Sequence, residues 1–122
     1  MKYKLVFEIV GATTLNLKDR HGNNLETTIE SQDTLTKIST YISLPNKITV
    51  DIPGSDKSPD IFLSGVWLGE IKFKHSALPH LFVYRHIHGE NRSLNWNCPG
   101  QVEFEFFEYS PIKYHLLMGS TI

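Results

Sequence analysis

Apolar residues in this chain recur at every second position, and no window of helical length carries them at helical spacing. Tyr3, Leu5, Phe7 and Ile9 fall on one side of the first segment, with Lys2, Lys4 and Glu8 on the other. Successive side chains of a strand point to opposite faces, so this pattern is that of a half-buried strand. The same logic places Ile48, Val50 and Ile52 inward against Lys47, Thr49 and Asp51, and Val102, Phe104 and Phe106 inward against Glu103 and Glu105. Little helix is expected, and the stretch Ile112 to Met118 reads as one more short run after Ser110-Pro111.

Turn residues punctuate the runs. His21-Gly22-Asn23-Asn24 lies between Leu15-Asn16-Leu17 and Leu25 to Ile29, where Gly and Asn tolerate positive φ, and predicts a hairpin. Leu44-Pro45-Asn46 separates a Thr- and Ile-rich stretch, Leu35 to Ser43, from the Ile48 strand; Pro53-Gly54-Ser55-Asp56 ends that strand. Cys98-Pro99-Gly100 leads into the Val102 run. About eight to ten short strands at this spacing predict an all-β, two-sheet antiparallel β-sandwich of the jelly-roll kind. With 122 residues and no linker, repeat or low-complexity stretch, residues 1–122 are expected to form a single β-sandwich domain. At Phe106-Phe107 the alternation slips: either a bulge swaps the faces or the strand passes from one environment to another.

Composition narrows the function classes. Twelve Lys and Arg against 13 Asp and Glu leave a net charge of -1, without the clustered cations on which nucleic-acid affinity depends. Cys98 is alone, which excludes an intrachain disulfide and a four-cysteine zinc site. Lys4 and Glu8 interrupt the apolar run that a signal peptide needs, and no stretch approaches the roughly 18 apolar residues of a membrane span.

Leu81 to His88 is the stretch most suggestive of chemistry. As a strand it sets Phe82, Tyr84, His86 and His88 on one face, and Leu81, Val83 and Ile87 on the other, which reads as core apart from Arg85. Rings and imidazoles on one face suit a sugar held by stacking and hydrogen bonds, or a metal; packing under a loop is the competing reading. His86-x-His88-x-Glu90 compares with the metal motif of cupins, but Glu90 follows too closely. Asp51, Asp56 and Asp60 bracket a loop and could supply part of the oxygen set calcium needs, although a solvated turn explains them as well. Trp67, in Val66-Trp67-Leu68, is expected in or near the core. Trp96, between Asn95 and Asn97, is the surface candidate: an aromatic platform with amide neighbours suits carbohydrate, and an ordinary loop anchor is the competing reading. Nucleophile elbows, P-loops and HExxH elements are absent, so no enzyme is expected.

Leu44-Pro45-Asn46-Lys47-Ile48-Thr49-Val50, Gly54, Trp67-Leu68-Gly69 and the closing run from Phe106 to His115 together carry a resemblance. The chain resembles small β-sandwich proteins of large tailed bacteriophages, which are similar to calcium-dependent carbohydrate-binding modules with a jelly-roll fold. The resemblance implies a non-catalytic module that binds glycan or decorates a virion, in host cytoplasm or on the particle. From residue types and shared faces, the expected ligand-binding residues are Tyr84, His86, His88 and Trp96, with Asp51, Asp56 and Asp60 as candidates for calcium that match no ligand pattern of those modules residue by residue. The alternative is a virion structural or assembly protein. It would act on another protein or as a homo-oligomer, through an apolar patch at Phe107 and Tyr109.

Overall fold

The computed structural model describes residues 1–54, 60–109, 111–118 and 120–121, with side chains after residue 110 described for 112–115 only. Two antiparallel sheets face each other, as the alternation predicts. The first is built from β1 (Lys2–Val10), β3 (Thr28–Gln32), β4 (Leu35–Ser43), β6 (Ile61–Leu68), β7 (Ile71–Phe73) and β12 (Ser120–Thr121), in the order β12-β7-β6-β1-β4-β3. A two-residue strand, β10 (Asn95–Trp96), also pairs with β6. The second sheet contains β2 (Asn16–Lys18), β5 (Asn46–Ile52), β8 (Phe82–His86), β9 (Gly89–Asn91) and β11 (Gly100–Phe106), in the order β2-β5-β11-β8-β9.

The core lies between the sheets and is made of the faces that period-two patterning marks. Leu5, Phe7 and Ile9 of β1 meet Ile48, Val50 and Ile52 of β5 and Val102, Phe104 and Phe106 of β11, all buried. Aromatic rings pack at its centre: Phe104 lies 4.7 Å from Phe7 and 5.2 Å from Phe82, centroid to centroid. Such contacts add specificity of geometry to the area they remove from water.

Two local expectations change. Ile112 to Met118 is helical: α1 spans Pro111–Met118, started by a proline whose fixed φ suits a first helical position. Tyr114 on α1 is buried against Phe73, 5.6 Å away and edge-on, so the helix closes one end of the sandwich. Phe106-Phe107 holds neither a bulge nor a continuing strand. β11 ends at Phe106, and the Phe107 N–H is taken by the Tyr114 hydroxyl.

The turn at His21–Asn24 forms, closed by Leu25 N–H on the Leu17 carbonyl at 2.9 Å. Its arms pair as a short hairpin, through the antiparallel bridge Lys18–Asn24 with the Asp19 N–H on the Asn23 carbonyl at 2.9 Å, before the chain leaves the second sheet and re-enters the first as β3. A tighter connection, Asp33-Thr34, joins β3 to β4, with Asp33 at a φ of 54°. Gly11, at a φ of 98°, marks a close approach: a Cβ there would stand 1.9 Å from the Asp60 carbonyl oxygen.

Candidate functional site

The two tryptophans exchange the places the sequence suggests. Trp96 is buried, with 1% of its surface exposed, packed edge-on against Phe82 at 5.8 Å. Pairing with β6 turns Asn95 outward and Trp96 inward, and the indole N–H is satisfied by the Ser93 carbonyl at 3.0 Å. Its amide neighbours signal a strand edge, and Trp96 as a surface platform is corrected.

Tyr84 is buried on the same side of the sandwich. Its hydroxyl accepts the Cys98 N–H at 2.8 Å and donates to the Cys98 carbonyl. Burial raises its pKa, offset in part by the backbone hydrogen bond. The β8 face chosen as functional is therefore its core face. Of the set read as core, Val83 is half-buried and Ile87 is 86% exposed beyond the strand's end; only Leu81 is buried, just before β8. Arg85 falls on the outer side with good reason. It pairs with Glu103 at 2.5 Å and Glu90 at 3.1 Å, so Glu90 is turned toward Arg85.

His86 and His88 lie at the turn between β8 and β9, their rings 5.9 Å apart. His86 Nδ1 accepts the His88 N–H at 3.2 Å, and its Nε2 lies 3.2 Å from the Asn91 amide. Local hydrogen bonds thus engage both nitrogens of His86. Tyr84 and Trp96, meant to complete a surface site with the histidines, are inside.

Asp51 stands on the outer face of the second sheet. Its carboxylate meets Lys18 at 3.4 Å, the Asn16 amide at 3.4 Å and the Gln101 amide at 3.2 Å. Asp60 precedes β6 and comes within 3.2 Å of the Asn95 side chain when that amide turns its nitrogen toward it. Asp56 lies outside the described residues. Among the described residues no group of three or more His, Cys, Asp or Glu side chains could hold a metal ion.

The tryptophan that does face outward is Trp67, on the first sheet. Glu8 pairs with Gly65 and Ile9 with Leu63, which leaves Ser64 as the extra residue of a bulge. The bulge keeps Leu63, Val66 and Leu68 in the core and turns Trp67 away from it. Thr28, Ser39, Val6, Trp67 and Lys72 then form one row across β3, β4, β1, β6 and β7; Glu30, Lys37, Glu8 and Gly65 form the next.

Gly65 sets the height of the ring. A Cβ at that position would lie 3.0 Å from Trp67 Cζ3 and 3.1 Å from Cη2, so the indole rests on the bare backbone. The ammonium groups of Lys37 and Lys72 each stand 4.8 Å from the ring centroid, within cation–π range. Polar groups surround it: Ser64 donates to Glu8 at 3.0 Å, and Lys37 reaches Glu8 at 3.9 Å.

A cleft of about 240 Å³ opens beside the ring, lined by Lys4, Val6, Glu30, Lys37, Ser39 and Trp67 among others. Tyr41, 60% exposed, and Phe62, 39% exposed, lie on the same sheet face. Chemically this is an aromatic platform with hydroxyl, carboxylate and ammonium groups at its rim. A sequence signal for it existed: Val66 and Leu68 are both core-type residues, so strict alternation between them directs Trp67 outward.

Comparison with known proteins speaks to the fold. No protein-family model matches the chain, and no curated protein sequence matches it. A solved structure of vCBM60, described in work on a circular permutation linking two families of calcium-dependent carbohydrate-binding modules, superposes with a TM-score of 0.58. The match covers 86% of this chain and 91% of that one, at 13% sequence identity. The chain therefore shares its β-sandwich fold with a carbohydrate-binding module.

Proposed function

We propose that residues 1–122 form one non-catalytic carbohydrate-binding module, and that sugar is bound on the outer face of the first sheet around Trp67. The observation that carries this reading is the indole lying on Gly65 with charged and hydroxyl side chains at its rim. A sugar presents C–H groups on its face and hydroxyls at its edge. An aromatic ring set flush in a sheet and ringed by donors and acceptors complements both. The fold shared with a carbohydrate-binding module supports the same reading.

Calcium, which the fold neighbour's description brings in, finds no ligand set among the described carboxylates. Asp51 is engaged by Lys18, Asn16 and Gln101, and Asp60 approaches Asn95. Calcium needs six to eight oxygens, and among the described residues Asp51 and Asp60 do not gather them; Asp56 lies outside those residues. The bacteriophage source and the virion or assembly role rest on the sequence resemblance.

Affinity gel electrophoresis and a glycan array, run with the wild-type chain and Trp67→Ala, test the proposal. Retention by at least one glycan, lost in Trp67→Ala while the circular dichroism spectrum is kept, is the expected result. Absence of binding to every glycan would remove it.

A further inference from the structure

We infer that the sugar taken by the Trp67 face carries a negative charge, and that its anionic group is received by Lys72 and Lys74 beside the ring. This rests on the carbohydrate-binding reading above and names the class of sugar.

The outer face of the first sheet is polarised. Toward the β3–β4 turn it is acidic: Glu8, Glu30 and Asp33 line a cleft of about 720 Å³ with Lys37 as its cation. On the β7 side of Trp67 the sign reverses. A second cleft, of about 290 Å³, is lined by Ser64, Lys72, Phe73, Lys74 and His75, with no carboxylate among them. Neither Lys72 nor Lys74 forms a salt bridge among the described residues. Among the described residues, then, Lys72 stands beside the aromatic platform and Lys74 in the adjoining cleft, neither with a carboxylate partner.

The ring geometry points the same way. With the Lys72 ammonium 4.8 Å from the indole centroid, a neutral sugar stacking on the ring has to displace a cation already attracted to it. An acidic sugar loses nothing by that arrangement, because Lys72 can turn from the ring to its anionic group. Lys74 and His75 extend the donor set at the end of the same cleft. A carboxylate of a uronic acid and a sulfate ester share the required chemistry, an anion with several acceptor oxygens fixed to a pyranose ring.

The test is a glycan array carrying uronate-containing and sulfated sugars beside neutral ones. It is joined by titration with polygalacturonate, its fully methyl-esterified neutral form, dextran and dextran sulfate. The full chain is compared with Trp67→Ala and with Lys72→Gln/Lys74→Gln. Signal is expected on acidic glycans, on the uronate or the sulfated arm. It should fall about tenfold or more in the double lysine variant, fall in Trp67→Ala, and weaken with added salt.

Binding of neutral sugars that survives in the lysine variant would overturn the inference and leave the carbohydrate-binding reading standing. Binding to acidic polymers that is indifferent to Trp67→Ala would also overturn it, since unspecific charge attraction would then suffice. No signal on any glycan removes both.

Discussion

Tyr84 on β8 and Cys98, in the turn before β11, are joined twice: the tyrosine hydroxyl accepts the Cys98 N–H at 2.8 Å and donates to its carbonyl. One buried side chain thereby satisfies both backbone groups of a turn residue. This explains why a polar-tipped ring belongs in the core here, since a buried backbone group without a partner is costly. It also anchors the entrance to β11, the central strand of the second sheet.

Tyr84→Phe is therefore expected to destabilise the protein by about 1–3 kcal/mol, the cost of leaving buried partners unpaired. Urea unfolding measures it. Glycan binding should be unchanged, because Tyr84 faces inward.

The two tryptophans should separate stability from binding. Trp96→Ala removes a fully buried indole and should cost about 3–5 kcal/mol. Trp67→Ala, at a partly exposed position, should cost about 1 kcal/mol while abolishing binding. Parallel denaturation and affinity gels read the two effects; equal loss of stability in both variants would contradict the assignment of faces.

Gly65→Val should lift the Trp67 ring from the sheet. The new side chain meets ring carbons already 3.0 and 3.1 Å from the first added atom. Binding should fall by tenfold or more, while a β-branched residue in a strand keeps the fold. A shift in Trp67 fluorescence, set against a Trp96→Phe background, would report the displaced ring.

Glu103 gives the protein an acid-sensitive contact. Burial pushes its pKa up, but hydrogen bonds and charge from Arg85 and Lys47 outweigh that and hold it below the ordinary 4.5. A depressed carboxylate pKa contributes stability that is present above the unfolded value and lost as pH falls through the folded one. Both cations are half exposed, so the contribution is about 1 kcal/mol. Glu103→Gln should thus be less stable than wild type by that amount at pH 7. The difference should shrink as the pH falls below the ordinary 4.5 and be lost once Glu103 is protonated in the folded protein, as acid titration of the two unfolding curves will show.

Asp51→Asn should cost less than about 1 kcal/mol, through the lost attraction to Lys18 at a partly exposed site. Any change of melting temperature on adding calcium or a chelator should be the same in the variant and in wild type. Loss of a calcium response in Asp51→Asn would return that residue to the metal role its place in the sequence suggested.

Alternation of apolar and polar residues was enough to determine the fold class. Leu5, Phe7 and Ile9, with Ile48, Val50 and Ile52, and Val102, Phe104 and Phe106, all point inward as their spacing requires, because a strand's two faces are a local property of the backbone. The break at Leu44–Pro45 and the end of β5 before Pro53 were legible for the same reason: Pro and Gly limit the chain wherever they stand.

What alternation leaves undecided is which face of a mixed strand looks inward. Phe82 and Tyr84 against Val83 and Arg85 is settled only when β8 lies beside β11, where Phe82 stands opposite Phe104 and Arg85 reaches Glu103 on the diagonal. Trp67 and Trp96 traded places for a related reason. The bulge at Ser64 and the two-residue pairing of Asn95–Trp96 with β6 exist only between strands far apart in sequence. The helix at Pro111–Met118 was likewise hidden, since eight residues are too few to declare a period, and burial of Tyr114 against Phe73 orients it. Local patterning determines strands and turns; the side of a strand that becomes a binding face is decided by the partner strands that cover the other.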